Sequence, residues 1–176
     1  MSGSFRLIIL SVIVIGCAAS FPSQERSSKF RGAVVNGSLM ELRDKRRVWL
    51  IVRRSAVLDA NGMESSVLSE VYREGKGRQN FPRTYNLIAQ KLNKYMKQHG
   101  SISAAPNLSD ADFILFFNVL EIRRPLGTPY AFGELFVIIN VKSKPHIIWQ
   151  TRSGGMFVDD AVNDFISELK AVRGEN

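Results

Sequence analysis

The stretch DFILFFNVLEIR, residues 112–123, decides the fold of this chain. A strand with one face in solvent alternates apolar and polar residues, whereas Phe113–Phe117 is apolar at every position. A second run, Leu135–Ile139, has the same character. Such runs are typical of strands that lie in the middle of a sheet and are buried on both faces. The sequence therefore predicts a sheet that must be covered on both sides.

The residues on either side of these runs predict further strands and at least two helices. Strands are expected at Val48–Val52, Asp112–Arg123, Phe132–Val141 and Ile147–Thr151. One helix is expected from Pro82 to Gly100, and another begins at Asp159 and Asp160, which we expect to cap it. The order predicts an α+β fold, with a mainly antiparallel sheet of about four strands and two or three helices packed on it. We expect residues 47–176 to form this single domain.

Residues 63–73 fit two structures. The apolar residues Met63, Val67 and Val71 fall at helical spacing, which favours a helix slightly over the alternative, a hairpin partner strand. Because two helices can cover only one face of the sheet, the other face needs a cover from this segment or from another chain. If another chain provides the cover, we expect either an envelope protein partner or self-association through the sheet face.

Residues 1–20 have the pattern of a signal peptide for export. Arg6 supplies a positive charge, and Leu7–Ile15 is a nine-residue apolar segment. A membrane-spanning helix needs about twenty apolar residues, which disfavours a permanent transmembrane anchor. Residues 21–46 are rich in Ser, Arg, Lys and Gly without sustained periodicity. They predict a flexible, polar and basic tether, with room for one short ordered piece at Ser38–Leu42.

Cys17 is the only cysteine in the chain, and it stands where the apolar segment ends. The residues Val14-Ile15-Gly16-Cys17 resemble the lipobox of bacterial lipoproteins. That resemblance implies that Cys17 is the mature N-terminus and is acylated, for example with palmitate. With Ala18 next in the chain, it also implies a place in the cell envelope, on the outer membrane facing the periplasm. The alternative is ordinary cleavage after Ala19, which would release a soluble protein.

The folded part of the chain is similar to small bacterial envelope lipoproteins, most of them uncharacterised. The group includes lipoprotein activators of penicillin-binding proteins and lipoprotein subunits of secretion pores. The similarity lies in the order of elements over Val48–Val172, the Ala111-Asp112-Phe113 start of the long strand, and Trp149 on the last strand. It implies an α+β fold, and no functional residue is carried over from it.

The chain is strongly basic, with 24 Lys and Arg against 16 Asp and Glu and a formal charge of +8. Such a surplus favours anionic partners, and export makes membrane surfaces or wall polymers better candidates than nucleic acid. The candidate contacts to an anionic surface are Arg43, Lys45, Arg46, Arg47, Arg53, Arg54, Lys76, Arg78 and Arg83.

The segment RPLGTPYA, residues 124–131, is a candidate partner-binding loop. Hairpin loops usually have about two to five residues, and this one is longer. A proline-stiffened loop that presents an aromatic ring can bind at low entropic cost. The residues that we expect to contact a partner are Pro125, Leu126, Tyr130 and Phe132.

No residue pattern proposes catalysis. The two histidines, His99 and His146, are far apart in the sequence, and a single cysteine excludes a multi-cysteine metal site. We expect no catalytic residues, no metal and no cofactor. The leading interpretation is a lipid-anchored, non-catalytic binding or assembly subunit of the cell envelope. The alternatives are a soluble secreted or periplasmic protein that binds an anionic ligand or polymer, and an enzyme assembled from distant residues.

Overall fold

A computed structural model describes residues 32–55, 63–73, 81–140, 144–151 and 154–175. The predicted signal peptide with Cys17, the first part of the predicted tether, and the candidate contacts Lys76 and Arg78 lie outside these ranges.

The described residues form seven strands and three α-helices. In chain order the elements are β1 (Ala33–Val34), β2 (Arg47–Arg53), α1 (Met63–Tyr72), α2 (Pro82–His99), β3 (Ser103–Ala104), β4 (Phe113–Arg123), β5 (Tyr130–Ile139), β6 (His146–Gln150), β7 (Met156–Phe157) and α3 (Val158–Arg173). Short 3₁₀ turns occupy Leu39–Leu42, Leu108–Asp110 and Pro125–Gly127.

The strands form one mixed sheet in the order β1-β6-β5-β4-β2-β3, with β7 paired to β5. β4, β5 and β6 are antiparallel neighbours, whereas β2 runs parallel to both β4 and β3. A parallel pair needs a long crossover connection, and the segment containing α1 and α2 supplies it between β2 and β4. The α+β class is confirmed. The four longer strands match the expected ones, while the parallel pairing and the two-residue strands were not predicted.

Alternation along β4 divides its side chains between two cores. The first core lies under α2 and α3 and includes Phe113, Leu115, Phe117, Ile88, Leu92, Trp149 and Phe165. The second core lies on the opposite face and includes Ile114, Phe116, Phe136, Ile138, Val67 and Val71. Phe116 and Phe136 stack in this second core at 5.9 Å between ring centres.

Residues 63–72 are therefore a helix, α1, and its Val67 and Val71 cover the second face of the sheet. Phe116 is 0% exposed and Phe136 is 1% exposed within the single chain. Of the two alternatives for this part of the sheet, cover by the 63–73 segment is the one present.

The predicted tether is also wrong over its described part. Ala33 and Val34 pair with β6, and Leu42 is fully buried in the first core. The ordered piece expected at Ser38–Leu42 is present as a 3₁₀ turn, in which Ser38 and Glu41 form a capping box. Arg173 fixes its end by donating a hydrogen bond to the Leu42 carbonyl oxygen at 2.9 Å. The folded domain thus begins before residue 47.

The ends of the two long helices follow local chemistry. α2 begins at Pro82 and ends before Gly100, which has a φ of +63° and closes the helix in the left-handed conformation. α3 has Phe157 at its N-cap, so the expectation that Asp159 and Asp160 cap it is wrong. The two carboxylates lie in the first turn, where they interact favourably with the helix dipole.

Candidate functional site

Three aromatic rings cluster where β5 extends beyond the second core. Phe136 is the last core residue on this face of β5, and alternation places Glu134, Phe132 and Tyr130 farther along the same face. β7 pairs with β5 and sets Phe157 opposite Phe132. The Phe157 ring meets those of Phe132 and Tyr130 edge to face, with centres 5.6 and 6.5 Å apart.

Arg123, at the end of β4, stacks on this cluster. Its guanidinium carbon is 3.4 Å from the centre of the Phe132 ring and 6.0 Å from that of Phe157. The same guanidinium forms an ion pair with Glu121, and both side chains are about half exposed. We call this cluster the aromatic patch; it consists of Arg123, Tyr130, Phe132 and Phe157. Each ring of the patch is partly exposed, so the patch presents aromatic and cationic surface together.

Two glycines make this corner of the sheet possible. A Cβ atom on Gly133 would lie 2.0 Å from the carbonyl oxygen of Asn118 on β4. Gly155 has a φ of +81°, and a Cβ atom there would lie 2.8 Å from the Phe132 ring. Because neither position accepts a side chain, the chain can fold closely enough to bring β7 and Phe157 against the patch.

Glu134 lies next to the aromatic patch on the same face. Burial raises the pKa of this carboxyl, and a hydrogen bond donated by the Gly154 N–H at 3.3 Å offsets only part of the effect. Within the described ranges Glu134 forms no ion pair. On β4, Leu120 and Ile122 expose 39% and 42% of their surface near the same end of the sheet.

The structure brings only part of the predicted loop together. Tyr130 and Phe132 are strand residues of the aromatic patch, whereas Pro125 begins an exposed 3₁₀ turn; the Leu126 side chain lies outside the description. Arg123 and Phe157 were not identified from the sequence. Phe157 follows a glycine pair in a strand of only two residues, and so short a strand has no visible periodicity.

Four of the seven described candidates for contact with an anionic surface instead help to hold the fold: Arg46, Arg47, Arg53 and Arg54. The backbone N–H groups of Arg46 and Arg47 both donate to one Asp112 oxygen at 2.9 Å, and the Arg47 guanidinium reaches the other at 3.1 Å. Burial alone would raise the pKa of Asp112, but these three donors outweigh it and lower that pKa. Arg53 binds Glu70, and Arg54 donates to the Leu120 carbonyl oxygen at 2.9 Å.

The other three described members of that set are Arg43, Lys45 and Arg83. Arg43 and Arg83 are exposed, one after the first 3₁₀ turn and the other in the first turn of α2. The side chain of Lys45 is partly exposed, and its carbonyl oxygen accepts a hydrogen bond from Arg173. Because Lys76 and Arg78 lie outside the described ranges, the anionic-surface set as a whole stays a prediction.

One polar network combines a histidine, hydroxyl groups and a carboxylate. The Tyr95 hydroxyl lies 3.0 Å from the Ser101 hydroxyl and donates a hydrogen bond to Glu175, whose carboxylate is 3.6 Å from His99. Burial would raise the pKa of Glu175, but the Tyr95 hydroxyl and nearby cations lower it. Ser101 is 8% exposed, and its hydroxyl is hydrogen-bonded to that of Tyr95. This network fastens the end of α3 to α2.

The described part of the chain holds neither a cluster of metal ligands nor a membrane-spanning helix. No group of three or more His, Cys, Asp and Glu side chains there could hold a metal ion. None of the described helices is long and apolar enough to cross a membrane.

Comparison with known proteins gives only weak structural similarity. No protein-family model matches the chain, and no curated protein matches it. A PelC dodecamer from Paraburkholderia phytofirmans is similar at 15% identity and a TM-score of 0.36, covering 84% of this chain and 97% of that one. Protein XCC0632 from Xanthomonas campestris is similar at 12% identity and a TM-score of 0.28, covering 82% and 90%. Similarity at this level carries no argument about function or assembly.

Proposed function

We propose that this chain is a non-catalytic, lipid-anchored protein of the cell envelope, and that it binds a partner protein through the aromatic patch. The observation that carries the binding role is the fixed stack of Arg123 on Phe132, with Phe157 and Tyr130 beside it. Arginine and aromatic residues contribute most of the energy at protein interfaces.

The patch is built on strands, and this favours binding. Phe132 and Tyr130 lie on β5, and the pairing of β7 with β5 holds Phe157 in place. Rings that are already held by edge-to-face contacts lose little conformational entropy when a partner covers them. Leu120 of β4, which is 39% exposed and lies with Phe132 beside Gly155, adds apolar surface that a partner can bury.

The sequence around Cys17 is the basis for proposing a lipid anchor. We propose that the signal peptide is cleaved before Cys17, that the cysteine is acylated, and that Ala18 directs the protein to the outer membrane. One acyl chain gives only reversible membrane binding, so a stable anchor needs two or more.

Intact mass of the protein extracted from membranes tests the anchor. We expect a chain that begins at Cys17 and carries acyl mass, and a Cys17→Ser variant that keeps its full-length mass without lipid. A chain that begins at Ser20 without lipid would contradict the anchor and support a soluble exported protein instead. Separation of inner and outer membranes then tests the location.

Photo-crosslinking in intact cells tests the patch. A photoreactive amino acid at position 130 should capture one defined protein, and Phe157→Ala should abolish the product. Tyr72 is a matched control, because it is also a tyrosine on the surface and lies on α1, away from the patch. Equal capture from positions 72 and 130, or no capture from position 130, would contradict the proposal.

A further inference from the structure

A groove between α2 and α3 is independent of the aromatic patch. The two helices pack side by side over the first core and leave an open space of about 210 Å³. It is lined by Lys91, Lys94 and Gln98 of α2 and by Asn163, Ile166 and Lys170 of α3. Tyr95 also lines it, and no Asp or Glu of the described ranges does.

The three lysines differ in what they contact. The Lys91 ammonium lies 2.9 Å from an Asp159 oxygen and 2.8 Å from the amide oxygen of Asn163, and these contacts fix its position. Lys94 and Lys170 form no ion pair with any residue that the structure describes. Two positive charges are therefore not neutralised in a concave, partly apolar site, where the surrounding protein strengthens their field.

The composition of α2 adds to this field. Its sequence, PRTYNLIAQKLNKYMKQH, contains four Lys and Arg residues and no Asp or Glu. Exposed helices usually mix both signs of charge, because acidic and basic residues one turn apart stabilise each other. The exposed positions of α2 instead carry cations and amides, including Gln90, Asn93, Lys94 and Lys97. No carboxylate on α2 competes for a ligand.

We propose that this groove binds an acidic sugar, a carboxylate-bearing unit of an anionic polysaccharide. The ammonium groups of Lys94 and Lys170 pair with the carboxylate. The amides of Gln98 and Asn163 suit sugar hydroxyls, and Ile166 offers apolar contact to the ring carbons. The volume is below the roughly 300 Å³ at which pockets for drug-sized ligands begin, so the groove takes one unit at a time.

Titration calorimetry of the full-length chain in mild detergent with oligogalacturonate tests this inference. We expect binding that weakens as salt rises. The K94E/K170E variant should weaken it by at least about tenfold, because it replaces two cations that contact the carboxylate. The control variant, R83E/K97E, changes the charge of the protein by the same amount, also on exposed positions, but outside the groove.

The other outcomes each overturn the inference. Equal weakening in both double variants would show that net charge, not the groove, attracts the polymer. Inorganic phosphate binding as tightly as the oligosaccharide would identify a phosphate site. Binding to vesicles of anionic lipid without binding to oligogalacturonate would identify a headgroup site. Unfolding temperatures of both variants are compared first, and K94Q/K170Q replaces K94E/K170E if that variant does not fold.

Discussion

The guanidinium of Arg123 and the ring of Phe132 are stacked 3.4 Å apart on neighbouring strands, at the end of the sheet that α1 does not cover. The contact keeps a partly exposed ring and a long cationic side chain in one arrangement. Since a flexible side chain would otherwise lose entropy on binding, the stack prepares the aromatic patch for a partner.

A double-mutant cycle measures this contact. We expect Arg123→Met and Phe132→Leu to show a favourable coupling of about 0.5–1 kcal/mol in urea unfolding, the range for a partly exposed cation–aromatic pair. The cycle of Arg123→Met with Tyr85→Leu on α2 should be additive, because those residues are not in contact. A coupling of zero between Arg123 and Phe132 would show that the stack does not stabilise the fold.

Replacing Glu134 should stabilise the protein at neutral pH. Its pKa is raised by burial, so the folded state holds the proton more tightly than the unfolded state does. Stability therefore falls as pH rises from the ordinary value of 4.5 through the raised pKa. Glu134→Gln keeps an acceptor for the Gly154 N–H and removes the charge. The free energy of unfolding of the Glu134→Gln variant should exceed that of the wild type at pH 7, and this difference should disappear below pH 4.5.

Urea unfolding at several pH values checks this effect. Glu121→Gln is the control, because Glu121 is about half exposed and already paired with Arg123. A Glu134→Gln variant that is less stable than the wild type at pH 7 would contradict the prediction, since it would mean that the carboxylate has a compensating partner.

Asp112→Asn should destabilise the fold by about 1–3 kcal/mol at pH 7, because two backbone N–H groups and the Arg47 guanidinium lose a charged acceptor. The lowered pKa means that this stabilisation is complete above the ordinary value of 3.8 and is lost as pH falls through the folded-state pKa. The variant should thus lose less stability on acidification than the wild type. Asp44→Asn, on an exposed turn, should behave like the wild type.

Leu42→Ala tests whether the predicted tether belongs to the domain. We expect a loss of about 2–5 kcal/mol in the free energy of unfolding, the range for a buried leucine. Met40→Ala, in the same 3₁₀ turn but 52% exposed, should cost much less. If both substitutions had the same small effect, the segment would be a tether after all.

The long elements could be predicted from the sequence because their periodicity is strong. Phe113–Phe117 and Leu135–Ile139 are apolar at every position and form the central strands, and α2 ends at Gly100 as expected. The parallel pairing of β2 with β4 could not be predicted, because pairing depends on where the chain returns after α1 and α2. Leu42 was missed because a single buried residue in a polar segment has no period.

The candidate site could be predicted only in part, for a related reason. Tyr130 and Phe132 stand out in an unusual segment, but Arg123 and Phe157 join them only through the pairing of three strands. The lysine groove was missed because Lys94 and Lys170 are 76 positions apart in the sequence. Each looks like an ordinary exposed residue until the helices pack together.

The two-residue strand β1 determines how the domain responds to force. β1 lies at the edge of the sheet and is held to β6 by few hydrogen bonds, among them one from the Val35 N–H to the Ile148 carbonyl oxygen at 3.0 Å. A pull on the amino-terminal side of residue 32 opens such bonds one after another, which takes little force. The pull is then resisted at Leu42, where a side chain must leave the core. A force on the amino-terminal end would therefore detach about ten residues from the domain before it disturbed the central strands.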